Sequence, residues 1–155
     1  MLEYEKILPG QGHEAGRALL AKMYKARFGK PMPEILVTSR GKPYFKDESI
    51  HFSISHTKNH VFCVLSHRPV GVDAEEANRK VDLRLVDKIL SPNEKLRFDR
   101  ETDKPAALLK FWVLKEAAGK LTGDGIKGYP NHTDFYPSDP RIQIIDGCYV
   151  AVIEG

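Results

Sequence analysis

The run Gly71-Val72-Asp73-Ala74-Glu75 sets two carboxylates at i and i+2. On a β-strand that spacing points both to one face. Like charges so placed repel unless a cation lies between them, although the pair alone fits a solvated strand end equally well. A second charged feature lies in Leu108-Leu109-Lys110-Phe111-Trp112-Val113-Leu114-Lys115-Glu116-Ala117-Ala118-Gly119-Lys120-Leu121. At about 100° per residue, Phe111, Leu114, Ala118 and Leu121 form one apolar stripe. Leu109, Val113 and Ala117 form another on roughly the opposite side, so the helix is expected to be largely buried. Glu116 projects between Leu109 and Trp112, with Lys120 one turn further on. A buried carboxylate needs a partner. It can be Lys120, as an i,i+4 ion pair, or a metal or phosphate held by the helix. Gly119 costs about 1 kcal/mol relative to alanine in mid-helix, which suggests a close approach to the backbone there. Asp73, Glu75 and Glu116 together offer three oxygen ligands of the kind magnesium takes. No His/Cys cluster stands out to compete for a softer metal. Glu76 is expected to point away, at the surface.

Phe52-Ser53-Ile54-Ser55-His56 alternates, with Phe52 and Ile54 inward and Ser53 and Ser55 on the other face. Neither serine has the glycine elbow of a nucleophile. Hydroxyl and imidazole here suit phosphate binding, or simply a capped strand end with an exposed His56. Arg40-Gly41-Lys42-Pro43 is a basic turn whose backbone and Lys42 could hold a phosphate or an adenine. His13, His51, His60, His67 and His132 receive no role.

The positioning elements follow from periodicity. A first helix spans Gly12–Phe28, with Gly29 as its stop. Extended segments are expected at 34–37, 44–45, 50–55, 60–65 and 70–75. A short helix covers 83–90. Ser91-Pro92-Asn93-Glu94 reads as an N-cap, a proline at the first helical position and a capping-box glutamate. The long helix runs from about Pro105 to Leu121, ending near Gly123. Residues 141–153 form a hairpin turning at Asp146-Gly147.

These elements belong to a chain of 155 residues that is 41% hydrophobic and 29% charged, enough apolar material for a core. Its 24 basic and 21 acidic residues give a net charge of +3, without the strong asymmetry of a nucleic-acid binder. Cys63 and Cys148 lie in apolar runs and read as buried free thiols. With no secretory leader and no membrane-spanning run, a reducing cytoplasm is the expected location.

In this order, Gly41-Lys42-Pro43, Phe52-Ser53-Ile54-Ser55-His56, Gly71-Val72-Asp73-Ala74-Glu75 and Trp112-Val113-Leu114-Lys115-Glu116-Ala117-Ala118-Gly119-Lys120 resemble the Sfp-type 4′-phosphopantetheinyl transferases. The resemblance implies an α+β (α/β) fold of two similar halves packed as a pseudo-dimer. The halves would be 1–69 and 70–155, with coenzyme A in the cleft between them. It implies that Asp73, Glu75 and Glu116 ligate Mg2+ and that Lys120 contacts the pyrophosphate. His56, Ser55 and Arg17 would contact the 3′-phosphate, and Gly41, Lys42 and Pro43 would line the adenine pocket. Two departures stand out: only about 40 residues precede Gly41, and Ala74 replaces a bulkier aliphatic.

The implied activity is transfer of 4′-phosphopantetheine from coenzyme A to a serine of an apo acyl or peptidyl carrier protein, releasing adenosine 3′,5′-bisphosphate. Glu116 is the candidate base, with Lys120 beside it. Carriers of this class are acidic, and Lys95, Arg97, Arg100, Lys104 and Lys110 form a basic stretch that could steer one. The alternatives are a non-catalytic relative that binds coenzyme A or a carrier, and a magnesium-dependent pyrophosphate hydrolase. Neither a nucleic acid nor a membrane is expected as partner.

Overall fold

The computed structural model describes residues 1–125 and 133–155; His132 therefore lies outside the described residues. Strand β1 (Leu2–Lys6) is followed by helix α1 (Gly12–Phe28) and by strands β2 (Ile35–Val37), β3 (Pro43–Phe45), β4 (His51–His56), β5 (His60–Ser66) and β6 (Val70–Glu76). A 3-10 turn (Leu83–Leu85) leads to helices α2 (Val86–Ile89), α3 (Pro92–Asp99) and α4 (Lys104–Thr122). Strands β7 (Ile142–Ile145) and β8 (Cys148–Glu154) close the chain.

Helix α1 has the expected bounds. It stops at Gly29, which adopts φ 70° and donates its N–H to Lys25 O, a left-handed cap that glycine takes without penalty. The helix expected over 83–90 instead splits into the 3-10 turn and α2. Asp146 (φ 48°) and Gly147 (φ 78°) turn the β7–β8 hairpin, the positive-φ pair that a two-residue turn requires.

Strand β1 was not anticipated from the sequence. Its five residues include three charges, and its partner β5 lies more than fifty positions away, paired from Leu2↔Val64 to Lys6↔His60. The first antiparallel sheet has the order β1-β5-β4, and β2 pairs β3 separately. Strand β5 is buried on both faces. Val61, Cys63 and Leu65 pack with Leu19, Leu20, Met23 and Tyr24 of α1. Phe62 and Val64 turn the other way, against Val70, Val72, Ala74, Cys148 and Val150 of the second sheet, ordered β6-β8-β7. Ala151 and Ile153 join Phe111, Val113, Leu114, Ala117 and Ala118 of α4 in a third cluster.

The result is a mixed α/β arrangement in which each half of the chain supplies a three-stranded antiparallel sheet and one long helix. The halves are also stitched edge to edge. Ser53 Oγ accepts the Val72 N–H at 3.0 Å, and Ser55 Oγ accepts the Ala74 N–H at 3.1 Å. Serine hydroxyls thereby satisfy backbone donors on β6 that the second sheet leaves unpaired.

Candidate active site

Gly71 determines how closely α4 lies on β6. A Cβ there would come within 1.9 Å of Ala117 O and 2.6 Å of Leu121 N. Only glycine allows that approach, which brings Asp73 and Glu75, two and four residues on, beside Glu116 and Lys120. Gly119 serves a second close contact. A Cβ on it would meet the Gly125 backbone at 2.6 Å, so the approach expected from the sequence is made by the chain itself, where Gly123 and Gly125 donate to Gly119 O.

Lys120 Nζ lies 3.1 Å from Asp73 Oδ1 and also donates to Ile54 O at 3.3 Å, so it spans both halves. Ser55 Oγ donates to the same Asp73 oxygen at 3.2 Å. Asp73 Oδ2 is buried without a hydrogen-bond partner among the described residues. Burial pushes the Asp73 carboxyl up to about 7; the Lys120 charge opposes this, while Glu116 and Glu75 reinforce it. Glu116 is half-buried and is likewise raised by burial, with Lys120 opposing and Glu75 adding to the shift. Glu75 is held by Arg79, one helical-type step on, at 2.5 Å.

The charge expected to be deeply buried on α4 was Glu116, but it is Lys115. Lys115 is fully buried and lies 2.6 Å from the equally buried Glu94. The pair meets without hydrogen-bond alignment, and the ammonium has no hydrogen-bond partner among the described residues. Glu94 accepts from the N–H groups of Ser91 and Phe135. The capping-box residue is thus also the counter-ion of the long helix. Glu116 forms no ion pair with Lys120 among the described residues, because Lys120 is turned to Asp73.

A cleft of about 300 Å³ lies beside this cluster, lined by Arg40, Gly41, Lys42, Pro43, Phe52, Ser53, Ile54, Gly119, Lys120, Gly123 and Gly125. The basic turn forms one wall. Lys42 Nζ donates to Leu121 O at 2.5 Å, Arg40 pairs with Asp124, and burial lowers the Lys42 pKa. Gly41 adopts φ 90°, which ties that position to glycine. Lys120 belongs to both the cleft and the acidic cluster.

His56 and Glu75 line a second, open cavity of about 720 Å³. The His56 ring lies where a Cβ on Gly12 would be, 2.4 Å away. Arg17 sits half-exposed on α1, just after Gly16, which rests on Ile54, and it lines neither cavity. Ser55 is buried and its hydroxyl is already committed to Asp73 and Ala74. Sequence reasoning missed Ser53, which both seals the strand seam and lines the cleft. Its position on one face with Ser55 was the available signal.

Two other expectations need correction, and the basic stretch has structural contacts of its own. Glu76 is not a surface residue: it accepts from Thr57 Oγ1 at 2.7 Å and lies 3.0 Å from His60 Nδ1. His60, assigned no role, is buried, with Asp146 on its Nε2 at 2.8 Å. Burial disfavours its charge, but the bonds to Glu76 and Asp146 prevail and raise its pKa. The basic stretch is largely engaged in structure. Lys95 pairs with Asp87, Arg97 bonds Phe135 O and Tyr136, and Lys104 caps the end of α3 through Phe98 O and Asp99 O. Cys63 and Cys148 are buried free thiols, as expected.

For a hard divalent ion the donor chemistry fits: three carboxylates on facing elements, one with a buried oxygen that has no partner among the described residues. As the side chains rest, Glu75 faces Arg79 and Asp73 faces Lys120. Among the described residues, the three ligand-type side chains whose atoms gather within 4.8 Å are instead His60, Glu76 and Cys148. No described helix is long and apolar enough to cross a membrane.

Comparison with known proteins places this arrangement. The chain is 33% identical over 88 residues to the 4′-phosphopantetheinyl transferase gsp of Aneurinibacillus migulanus, covering 56% of this chain and 36% of that protein. It is 31% identical over 116 residues to the 4′-phosphopantetheinyl transferase psf-1 of Bacillus pumilus, covering 72% and 49%. It is 31% identical over 122 residues to the 4′-phosphopantetheinyl transferase HetI of Nostoc, covering 72% and 52%. The chain thus spans about half the length, or less, of these relatives. Residues 69–146, which carry β6, α4 and the acidic cluster, match the family model described as the 4′-phosphopantetheinyl transferase superfamily. The chain belongs to the 4′-phosphopantetheinyl transferase superfamily.

Proposed function

We propose that this chain transfers the 4′-phosphopantetheine of coenzyme A to a serine of an apo acyl or peptidyl carrier protein, with Mg2+ held by Asp73, Glu75 and Glu116. The observation that carries the proposal is the junction of β6 and α4. There Asp73, with one oxygen unpartnered among the described residues, sits against a lysine that also lines the adjoining cleft. The two helix-and-sheet units act as the halves of a pseudo-dimer, 1–69 and 70–155, with the substrate between them.

The chemistry is a displacement at phosphorus. The serine oxygen bonds to the β-phosphorus of coenzyme A, the bond from that phosphorus to the bridging oxygen breaks, and adenosine 3′,5′-bisphosphate leaves. The serine proton passes to Glu116, directly or through a water; burial raises its pKa above that of a free carboxylate, which makes it the stronger base. When bound, magnesium supplies neutralisation of the pyrophosphate charge. Lys120 adds a fixed cation at the pyrophosphate. Gly41, Lys42 and Pro43 form the adenine wall, while His56 and Arg17 approach the 3′-phosphate from β4 and α1. Ser55 acts on the site by fixing Asp73. Ion uptake competes with the Glu75–Arg79 pair. An acidic carrier and a reducing cytoplasm fit the chemistry.

The test is to incubate the chain with coenzyme A, magnesium and a panel of apo carriers, and to weigh the carriers. The expected result is a gain of one phosphopantetheine arm, lost with chelator and reduced roughly 10²–10⁴-fold in Glu116→Ala. Cleavage of coenzyme A without a carrier would indicate a pyrophosphate hydrolase. Binding of coenzyme A or carrier with no mass change across the panel would indicate a non-catalytic relative.

A further inference from the structure

On the face of β6 away from the acidic cluster, three side chains from three strands converge. His60 opens β5, Glu76 ends β6 and Cys148 opens β8. Glu76 and Cys148 are direct cross-strand partners, which fixes their side chains on one face at close range. His60 reaches them from the other sheet. Its Nδ1 lies 3.0 Å from Glu76 Oε1 and 3.5 Å from Cys148 Sγ, and Cys148 Sγ lies 3.5 Å from Glu76 Oε2. An ion with bonds of about 2.0–2.3 Å in tetrahedral geometry sets its N, O and S ligands roughly 3.2–3.6 Å apart. The two separations to the sulfur fall in that range and the ring-to-carboxylate one is slightly shorter, with Glu76 turning Oε1 to the ring and Oε2 to the thiol, so a small turn of its carboxylate would bring one oxygen to the ion.

The far ring nitrogen of His60 points at Asp146 Oδ2, 2.8 Å away. A carboxylate on the second nitrogen is the partner that orients a metal-bound histidine. Asp146 itself lies 3.8 Å from Lys6, which offsets part of its charge. Cys148 and His60 are buried, while Glu76 and Thr57 line the open cavity of about 720 Å³, a route for an ion and a place for water as fourth ligand.

We propose that His60, Glu76 and Cys148 form a site for a thiophilic divalent ion of the zinc class, separate from the oxygen-only cluster of Asp73, Glu75 and Glu116. Uptake forms metal–sulfur, metal–nitrogen and metal–oxygen bonds, and the thiol proton and the Nδ1 proton of His60 pass to water. No redox change is involved. The thiolate and imidazole select zinc or cobalt over magnesium. Strand β6 would then carry a soft site on one face and the hard oxygen cluster on the other, with the soft site clamping Glu76 next to Glu75. The inference rests on these three residues and not on the proposed transfer activity.

Cobalt(II) titration of the chelator-stripped chain, in excess magnesium, tests it. One ion per chain is expected, with a thiolate-to-cobalt charge-transfer band that zinc abolishes. The chain has two cysteines, Cys63 and Cys148, so a band that survives in Cys63→Ala can come only from Cys148. The band should also survive in Glu75→Ala. In Asp146→Asn, which keeps a residue tolerant of the left-handed turn, affinity should fall about 10–100-fold. Absence of the band in the wild-type chain, or its loss in Cys63→Ala with the fold retained by circular dichroism, would overturn the site and leave His60 as a protonated bridge between Glu76 and Asp146.

Discussion

Asp73 is the residue at which stability and chemistry oppose each other. Burial holds its carboxyl at about 7 against an ordinary 3.8, so the folded protein keeps a proton that the unfolded chain has released. Stability contributed by this group is therefore intact below about pH 4 and falls as pH rises to about 7, by an amount on the order of 2–4 kcal/mol. Asp73→Asn should remove that fall, so that its melting temperature between pH 5 and 8 is flatter than that of the metal-free wild-type chain, while transfer activity is lost. Thermal melts across that range check it; a mutant curve parallel to the wild type would refute the assignment of the slope to Asp73. Much of this cluster was legible in the sequence. The i, i+2 spacing of Asp73 and Glu75 and the helical offset of Glu116 and Lys120 specify faces. The partners were not legible. Lys120 chose Asp73 over Glu116 because α4 lies flat on β6, a distance set by Gly71 that no periodicity reveals.

Elements with local signals were readable, and elements defined by distant partners were not. Helix α1, the Ser91 capping box and the Asp146-Gly147 turn each carry their cause within a few residues. Strand β1 exists only because β5 offers it an edge, and the burial of Lys115 depends on a counter-ion, Glu94, that lies on another helix. That pair locks α3 to α4. Lys115→Met should cost about 3–5 kcal/mol, since it strands a buried carboxylate, and adding Glu94→Gln, which removes the charge but can accept from only one of the Ser91 and Phe135 N–H groups, should restore part of it; denaturant unfolding of the double-mutant cycle measures the coupling, and additive losses would count against it. The contact of α4 with β6 is as sensitive. Gly71→Ala inserts a Cβ 1.9 Å from Ala117 O, a backbone atom that cannot rotate away. The strand and helix must separate, at a cost of about 1–3 kcal/mol or more. Because the same separation pulls Lys120 from Asp73, activity per folded molecule should also fall. Unchanged activity in the folded fraction would mean that the spacing of α4 and β6 does not set the site.

At the scale of the molecule, two sheets with a helix on each outer face meet along β4 and β6, and the candidate site lies on that seam. Lys120 crosses it to Ile54, Lys42 crosses it to Leu121, and Arg40 crosses it to Asp124. The seam proper is the pair Ser53 and Ser55, each hydroxyl taking a backbone N–H of β6. Two roles follow from their geometry and can be separated. Ser53→Ala strands the Val72 N–H and should cost about 1–3 kcal/mol; since Ser53 lines the cleft without touching Asp73, any effect on activity should fall on the KM for coenzyme A and not on kcat. Ser55→Ala strands the Ala74 N–H at similar cost, but it also removes a donor from Asp73 Oδ1. Ser55→Ala should therefore lower kcat more than Ser53→Ala at equal loss of stability, and restoring the hydroxyl with Ser55→Thr should recover part of it. If both alanine variants lost activity only in proportion to their unfolding, the seam would hold the halves together without tuning the carboxylate between them.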